Sequence, residues 1–183
     1  MHSRFRTPIL AQMRDQQVRF APRAKKIEQI EQAERLIAEI DPEKTYTYEY
    51  ICFRITGYRP HAVPNEPIHG EDARHDLRLL IEDISDSADI DVADVPEPVR
   101  TVDELAKMFN VSTKTISRWR QQGLVSRRFL FSGRKRVGFL QSSVDRFVNS
   151  NRERVERGAS FSQLTDLERE EIIHRARRLA QSG

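Results

Sequence analysis

The sequence predicts a mainly α protein: a small helical N-terminal domain, then a winged helix-turn-helix with a two-stranded wing and a C-terminal helix. Three observations carry this. Two short amphipathic segments between residues 102 and 122 each have their own start and stop residues and are joined by a tight turn. An Arg-rich hairpin pattern follows at 127–140. The charge is also split: Arg100–Arg136 holds ten Lys/Arg against two acids, net +8, whereas Glu66–Glu97 holds eleven acids against two Arg, net −9. A basic block beside an acidic one points to a nucleic-acid surface with something unlike it next to it.

The chain has 183 residues, 38% hydrophobic and 32% charged, so its core should be modest. No run of 18 apolar residues exists, so no membrane span is expected. The first 30 residues are Arg-rich and have no apolar h-region, which gives no reason to expect a secretory signal. The single cysteine, Cys52, cannot form an internal disulfide. Together these predict a reducing, cytoplasmic setting.

Residues 1–23 show no helical periodicity; Arg4, Arg6, Arg14, Arg19 and Arg23 read as a basic, flexible arm. A small α-helical domain is expected at 24–86. Its first helix is Ala24–Ile40, with Ile27, Ile30, Ala33, Ile37 and Ile40 at helical spacing and Asp41-Pro42 as the stop. Thr45–Ile55 reads as a second helix, although its aromatic and β-branched content would also suit a strand. Gly57, Pro60, Pro64 and Pro67 then break the chain, and Asp72–Ser85 reads as a third helix with Leu77, Leu80, Ile81 and Ile84 on one face. Residues 87–99, acidic and containing two prolines, read as an interdomain linker.

The winged helix-turn-helix is expected at 100–155. Thr101 and Glu104 form a capping box that opens a first helix, Val102–Phe109, with Leu105, Ala106 and Phe109 on its buried face. Asn110 can take the left-handed conformation that ends it, and Val111 plugs the turn. Ser112 caps a second helix, Thr113–Gln122, in which Ile116 points inward and Trp119 packs at the edge. Gly123 ends it, and Leu124 supplies the apolar contact that follows. Arg127–Phe131, the turn Ser132-Gly133 and Arg134–Leu140 form the wing. Another helix, Ser142–Arg154, returns Val144, Phe147 and Val148 to the core. A C-terminal amphipathic helix is expected at 160–183, opened by a capping box at Thr165–Glu168, with Ile172, Ile173, Ala176 and Leu179 on one face.

A helix of this size fits the major groove of double-stranded DNA. With Ile116 inside, the opposite face presents Lys114, Ser117, Arg118 and Gln121 as candidate base readers, since Arg pairs bidentately with guanine and Gln with adenine. Candidate phosphate contacts are Ser112 and Thr113 at the helix N-terminus, Arg120, and the hairpin residues Arg127, Arg128, Arg134, Lys135 and Arg136. The competing reading is a charged, solvated helical domain that uses this fold for protein contacts.

The stretch TVDELAKMFNVSTKTISRWRQQGLV, with SGRKRVGFL after it, resembles the DNA-binding region shared by MerR-type regulators and phage excisionases. The resemblance rests on Val111-Ser112, Thr115-Ile116, Gly123-Leu124 and Arg134-Lys135-Arg136. The family often carries an aromatic pair in the recognition helix, one member of which touches phosphate; here Trp119 is followed by Arg120. Together with ICFRITGYRP and NRERVERGASFSQLT…EIIHRARRLA, the module also looks like the N-terminal region of a group of bacterial sigma-70 family RNA polymerase sigma factors, over roughly residues 45–183. That likeness implies a link to transcription initiation, with the chain as a fragment or short relative of such a factor, and makes RNA polymerase a further candidate partner. The sigma regions that melt or read promoter elements are not visible in the sequence.

No catalytic constellation is visible, and the expectation is a protein that is not an enzyme and needs no cofactor or metal. His61, His69 and His75 lack metal-ligand spacing, and Asp83, Asp86, Asp89, Asp91 and Asp94 lack the glycine and closing Glu of a calcium loop. The function expected is sequence-specific duplex DNA binding in transcription initiation or regulation. The alternatives are an adaptor on RNA polymerase and an excisionase-like architectural accessory of recombination. A homodimer is a further candidate assembly. The acidic residues 85–97 could also fold over the basic face and compete with DNA.

Overall fold

The computed structural model describes residues 4–61, 66–161, 171, 173–175, 177 and 178. Its first helix, α1 (Pro8–Phe20), lies where the sequence suggested a flexible arm. Leu10 and Met13, one turn apart, are buried, and Ile9 and Val18 pack beside them. The amides of Arg6 and Thr7 also donate to the buried carboxylate of Asp76 at 2.8 and 2.7 Å, which ties down the start of the helix. Pro8 at the first helical position sets the backbone for it.

Helix α2 (Arg23–Glu39) buries Ile30, Ala33 and Ile37, as its periodicity predicts, and Leu36 beside them, whereas Ile27 is half-buried. The next segment divides. Thr45–Tyr46 form a short strand β1, Thr47 caps α3 (Tyr48–Thr56) by accepting from the Tyr50 amide, and Gly57 ends the helix at φ 74°. The helix expected from Thr45 thus starts three residues later, at Tyr48. β1 pairs antiparallel with β2 (Ile68–His69), with Tyr46 opposite Ile68. Helix α4 (Gly70–Ala88) extends beyond the expected 72–85 at both ends. Its stripe of Ala73, Leu77, Leu80, Ile81 and Ile84 is fully buried against α1 and α2.

Residues 87–99 are not a free linker. Asp89 ends α4 in a left-handed conformation, Ile90 is buried, and a single 3₁₀ turn follows at Val92–Asp94. The Leu130 amide donates to the Ile90 carbonyl at 2.8 Å, so the strap is pinned to the sheet. It ends in a strand the sequence reading did not anticipate, β3 (Val99–Thr101).

That strand enlarges the expected two-stranded wing to three. β4 (Arg127–Phe131) and β5 (Arg134–Leu140) form the hairpin, and β3 pairs with the other edge of β5, all antiparallel. Val99 faces Leu140, and Phe131 faces Arg134. Ser132 and Gly133 make the two-residue turn with φ 49° and 78°, the doubly left-handed geometry that suits strand twist. The sheet stands between two cores. Phe129, Phe131 and Leu140 join the cluster built by α1–α4, whereas Val137 and Phe139 join a second cluster around Trp119.

The helices of the module are α5 (Val102–Met108), α6 (Thr113–Gln121), α7 (Gln141–Ser150) and α8 (Arg152–Phe161). The single helix expected at Ser142–Arg154 instead breaks, and α8 continues past its expected end. Asn151, at φ −137°, breaks the run, and this lets Val155 enter the second core from a new direction. The expected cap at Thr165 and the face of Ile172, Ala176 and Leu179 lie outside the described residues; Ile173 is helical and exposed. Among the described residues no helix is long and apolar enough to cross a membrane.

Candidate nucleic-acid interface

The geometry of α5 and α6 follows from their end residues. The Glu104 amide donates to Thr101 Oγ1 at 3.2 Å, and the Thr101 amide donates to Glu104 Oε2 at 2.7 Å, closing the predicted capping box. That backbone bond, with help from the Thr101 hydroxyl, holds the Glu104 carboxyl below the usual range. Asn110 is left-handed at φ 50° and turns the chain. The Val111 amide then donates to the Ala106 carbonyl at 2.9 Å and seats the plug. Ser112 caps α6 by accepting from the Thr115 amide. At the far end the Leu124 amide donates to the Trp119 carbonyl at 2.9 Å, across Gly123 at φ 120°.

The buried side of α6 is Ile116 and Trp119. The Trp119 ring sits 5.6 Å from Phe109 on one side and 5.6 Å from Phe147 on the other, so it locks α6 to both α5 and α7. Leu105 and Leu124 complete this core. The outer side carries Lys114, Ser117, Arg118 and Gln121, all exposed, as are Ser112 and Thr113 at the helix start. These four positions, spaced by three and four residues, share one helix face. The Ser117 hydroxyl donates back to the Thr113 carbonyl at 3.1 Å, which leaves its oxygen free to accept.

The cations expected to grip phosphate divide into two groups. Arg134 and Arg136 stand exposed at the tip of the hairpin. Among the described residues the side chains of Lys114, Arg118, Arg134 and Arg136 form no hydrogen bond or ion pair. Arg120, Arg127 and Lys135 each have an acidic partner within the molecule. Arg127 is buried, with Nε and Nη2 donating to Glu34 of α2 at 2.6 and 2.9 Å. Arg120 is paired with Glu82 of α4 and donates to Ser126 Oγ at 3.1 Å. Lys135 bonds Asp89 at 2.9 Å and the Asp86 carbonyl at 2.6 Å. The Asp89 hydrogen bond, reinforced by the charges of Asp86 and Asp89, raises the Lys135 pKa above its ordinary value. Arg128 is half-buried, with its amide held by Ser85 Oγ at 2.8 Å.

Sequence reasoning missed the residues that hold these cations. Arg78, whose Nη1 donates to the Arg120 carbonyl at 2.5 Å, belongs with them. One signal was available: the acidic block at 66–97 supplies Glu82, Asp86 and Asp89, so charge complementarity between the two blocks is satisfied within the chain.

Residues 101–152 match the family model described as a helix-turn-helix domain. No curated protein and no solved structure gives a significant match to the chain. With its caps, left-handed turn and Trp119-centred core, the segment 101–152 is a helix-turn-helix domain carried by a larger, mainly helical chain.

Proposed function

We propose that this chain binds double-stranded DNA, with α6 in the major groove and the β4–β5 hairpin against the backbone. The observation that carries this is the exposed face of α6. Lys114, Arg118 and Gln121 line up there opposite Ile116 and Trp119, and neither cation has an internal partner among the described residues. Arg118 and Gln121 are the base readers by chemistry; Arg134 and Arg136 hold phosphate. Selection of bound duplex from a random pool, followed by a salt titration on the winner, tests the reading. Log affinity should fall linearly with log salt. Recovery of no preferred sequence and no salt-dependent binding would refute it.

The finer role is regulation or initiation of transcription. Its support is the sequence likeness of the ICFRITGYRP segment, the 101–140 module and the chain after Asn151 to sigma-factor N-terminal regions. The helix-turn-helix match is equally compatible with an excisionase-like accessory of recombination. Mobility of the complex against the position of the site separates the two, because an architectural protein bends its DNA. No observation favours catalysis, and we take the chain to be a binding protein.

A further inference from the structure

A notch of about 300 Å³ lies where α4, α8 and the C-terminal end of α6 approach one another. Arg74 and Arg78 enter it from α4 and Arg154 from α8, and Gln121–Gly123 form its wall. Arg74 Nη2 lies so close to Gly123 that an added Cβ there would be 3.4 Å from it.

Among the described residues, the cations of this notch outnumber its acids. Among the described residues Arg74 makes no hydrogen bond or ion pair. Among the described residues, the Arg154 side chain donates only to the neutral Asn151 side chain, at 3.1 Å. Arg78 donates to a carbonyl, that of Arg120, while the nearby Glu82 carboxylate is taken by Arg120 itself. The acid on the rim, Glu71, is shared with Arg6, which also binds Asp72 at 2.9 Å. Burial lowers the Arg78 pKa; the Glu82 charge opposes this, and the charges of Arg120, Arg6 and Arg74 add to it. Among the described residues, four guanidiniums (Arg6, Arg74, Arg78 and Arg154) thus line a concave site with one lining carboxylate, Glu71.

We propose that this notch binds a phosphate group. A planar carboxylate offers one edge to one fork, whereas a tetrahedral phosphate presents oxygens to guanidiniums arriving from separate helices. Gln122, on the same wall, carries a neutral side-chain donor. A phosphate seated there joins α4 to the trailing end of the recognition helix. It is supplied either by a backbone phosphate of bound duplex or by a free phosphate or phosphate ester.

The test uses the full chain and two salts. Thermal unfolding is followed in sodium phosphate and in sodium chloride at matched pH and ionic strength, for wild type and for R74Q/R154Q. Neither substitution removes an ion pair and R74Q relieves repulsion on Arg78, so the variant should unfold no earlier than wild type in chloride. Wild-type Tm should climb with phosphate concentration, as for any ligand of the native state. The variant should lose about tenfold in phosphate affinity or more. The second arm is a salt titration of duplex binding. If the phosphate belongs to DNA, R74Q lowers the slope of log affinity against log salt by about one, and inorganic phosphate competes beyond its ionic strength. If it arrives on a small molecule, the slope is unchanged and the phosphate-dependent Tm rise remains. Identical behaviour of wild type and variant in both arms overturns the proposal, including an equal Tm rise from exclusion of phosphate at the surface. The thermal arm contains no DNA, so it decides the matter even if the chain binds no duplex.

Discussion

Arg127 and Glu34 stand 93 residues apart in sequence and meet as a two-pronged ion pair, 2.6 and 2.9 Å, with both side chains more than nine-tenths buried. The first strand of the hairpin is thereby fastened to α2. Removing one partner leaves a buried charge uncompensated, which typically costs about 3–5 kcal/mol. Urea unfolding of Glu34→Gln should show a loss in that range, and the double substitution of both residues by Met should recover most of it. A loss below about 1 kcal/mol, the level of an exposed pair, would mean that water reaches this site.

Arg118 and Arg136 should separate by the kind of affinity they lose. Arg118→Ala is expected to cost about 1–3 kcal/mol on the preferred duplex and to relax selectivity at one position. Arg136→Ala should weaken every duplex about equally and lower the salt slope by about one. The same selection and titration measure both. Uniform loss for Arg118→Ala would remove it from base reading.

The Lys135 tether makes a prediction with the opposite sign. Asp86 and Asp89 hold this cation at the wing, where a duplex phosphate would compete for it. The D86N/D89N variant should bind non-specific duplex more tightly at low salt, and the gain should shrink as salt rises. Asn tolerates the left-handed backbone at Asp89, so the helix end survives the change. Unchanged low-salt affinity would show that Lys135 takes no part in binding.

Leu10 tests the helical start of the chain. It is fully buried in the first core, so Leu10→Ala should destabilise by about 2–5 kcal/mol. A mobile arm would tolerate the substitution with no measurable shift in Tm.

Acid should reveal the Glu104 cap. The folded carboxyl sits below its ordinary range, chiefly through the Thr101 amide. A depressed folded pKa adds stability above the unfolded value, and that increment is lost as pH falls through the folded one. The acid limb of the stability curve should therefore be shallower in Glu104→Gln than in wild type. Parallel limbs would show that the box contributes no proton linkage.

The local rules of the helix-turn-helix were legible because each rests on neighbours in sequence. Thr101 with Glu104, Asn110, Ser112, Gly123 and the Ser132-Gly133 turn all take the conformations their residue types favour. What could not be read depends on distant partners. Arg127 looks like any hairpin arginine until α2 folds beneath it and presents Glu34. Strand β3 is three residues long, too short for a period-two pattern, and exists because β5 offers it an edge. Helix α1 hid for a related reason. Its apolar residues are few and diluted by Arg and Gln, and the Asp76 anchor that fixes it lies about 70 residues away.

The three-stranded sheet has each of its faces seated in a different core. A cut in the acidic strap would therefore not yield two independent pieces. The helical half, expressed without the hairpin, would lose the cover that Phe129 and Leu140 provide, and the recognition module would carry those greasy side chains bare into water. Deletion mapping that stops near residue 99 should accordingly give aggregates, and the smallest soluble DNA reader obtainable from this chain should begin near Arg6.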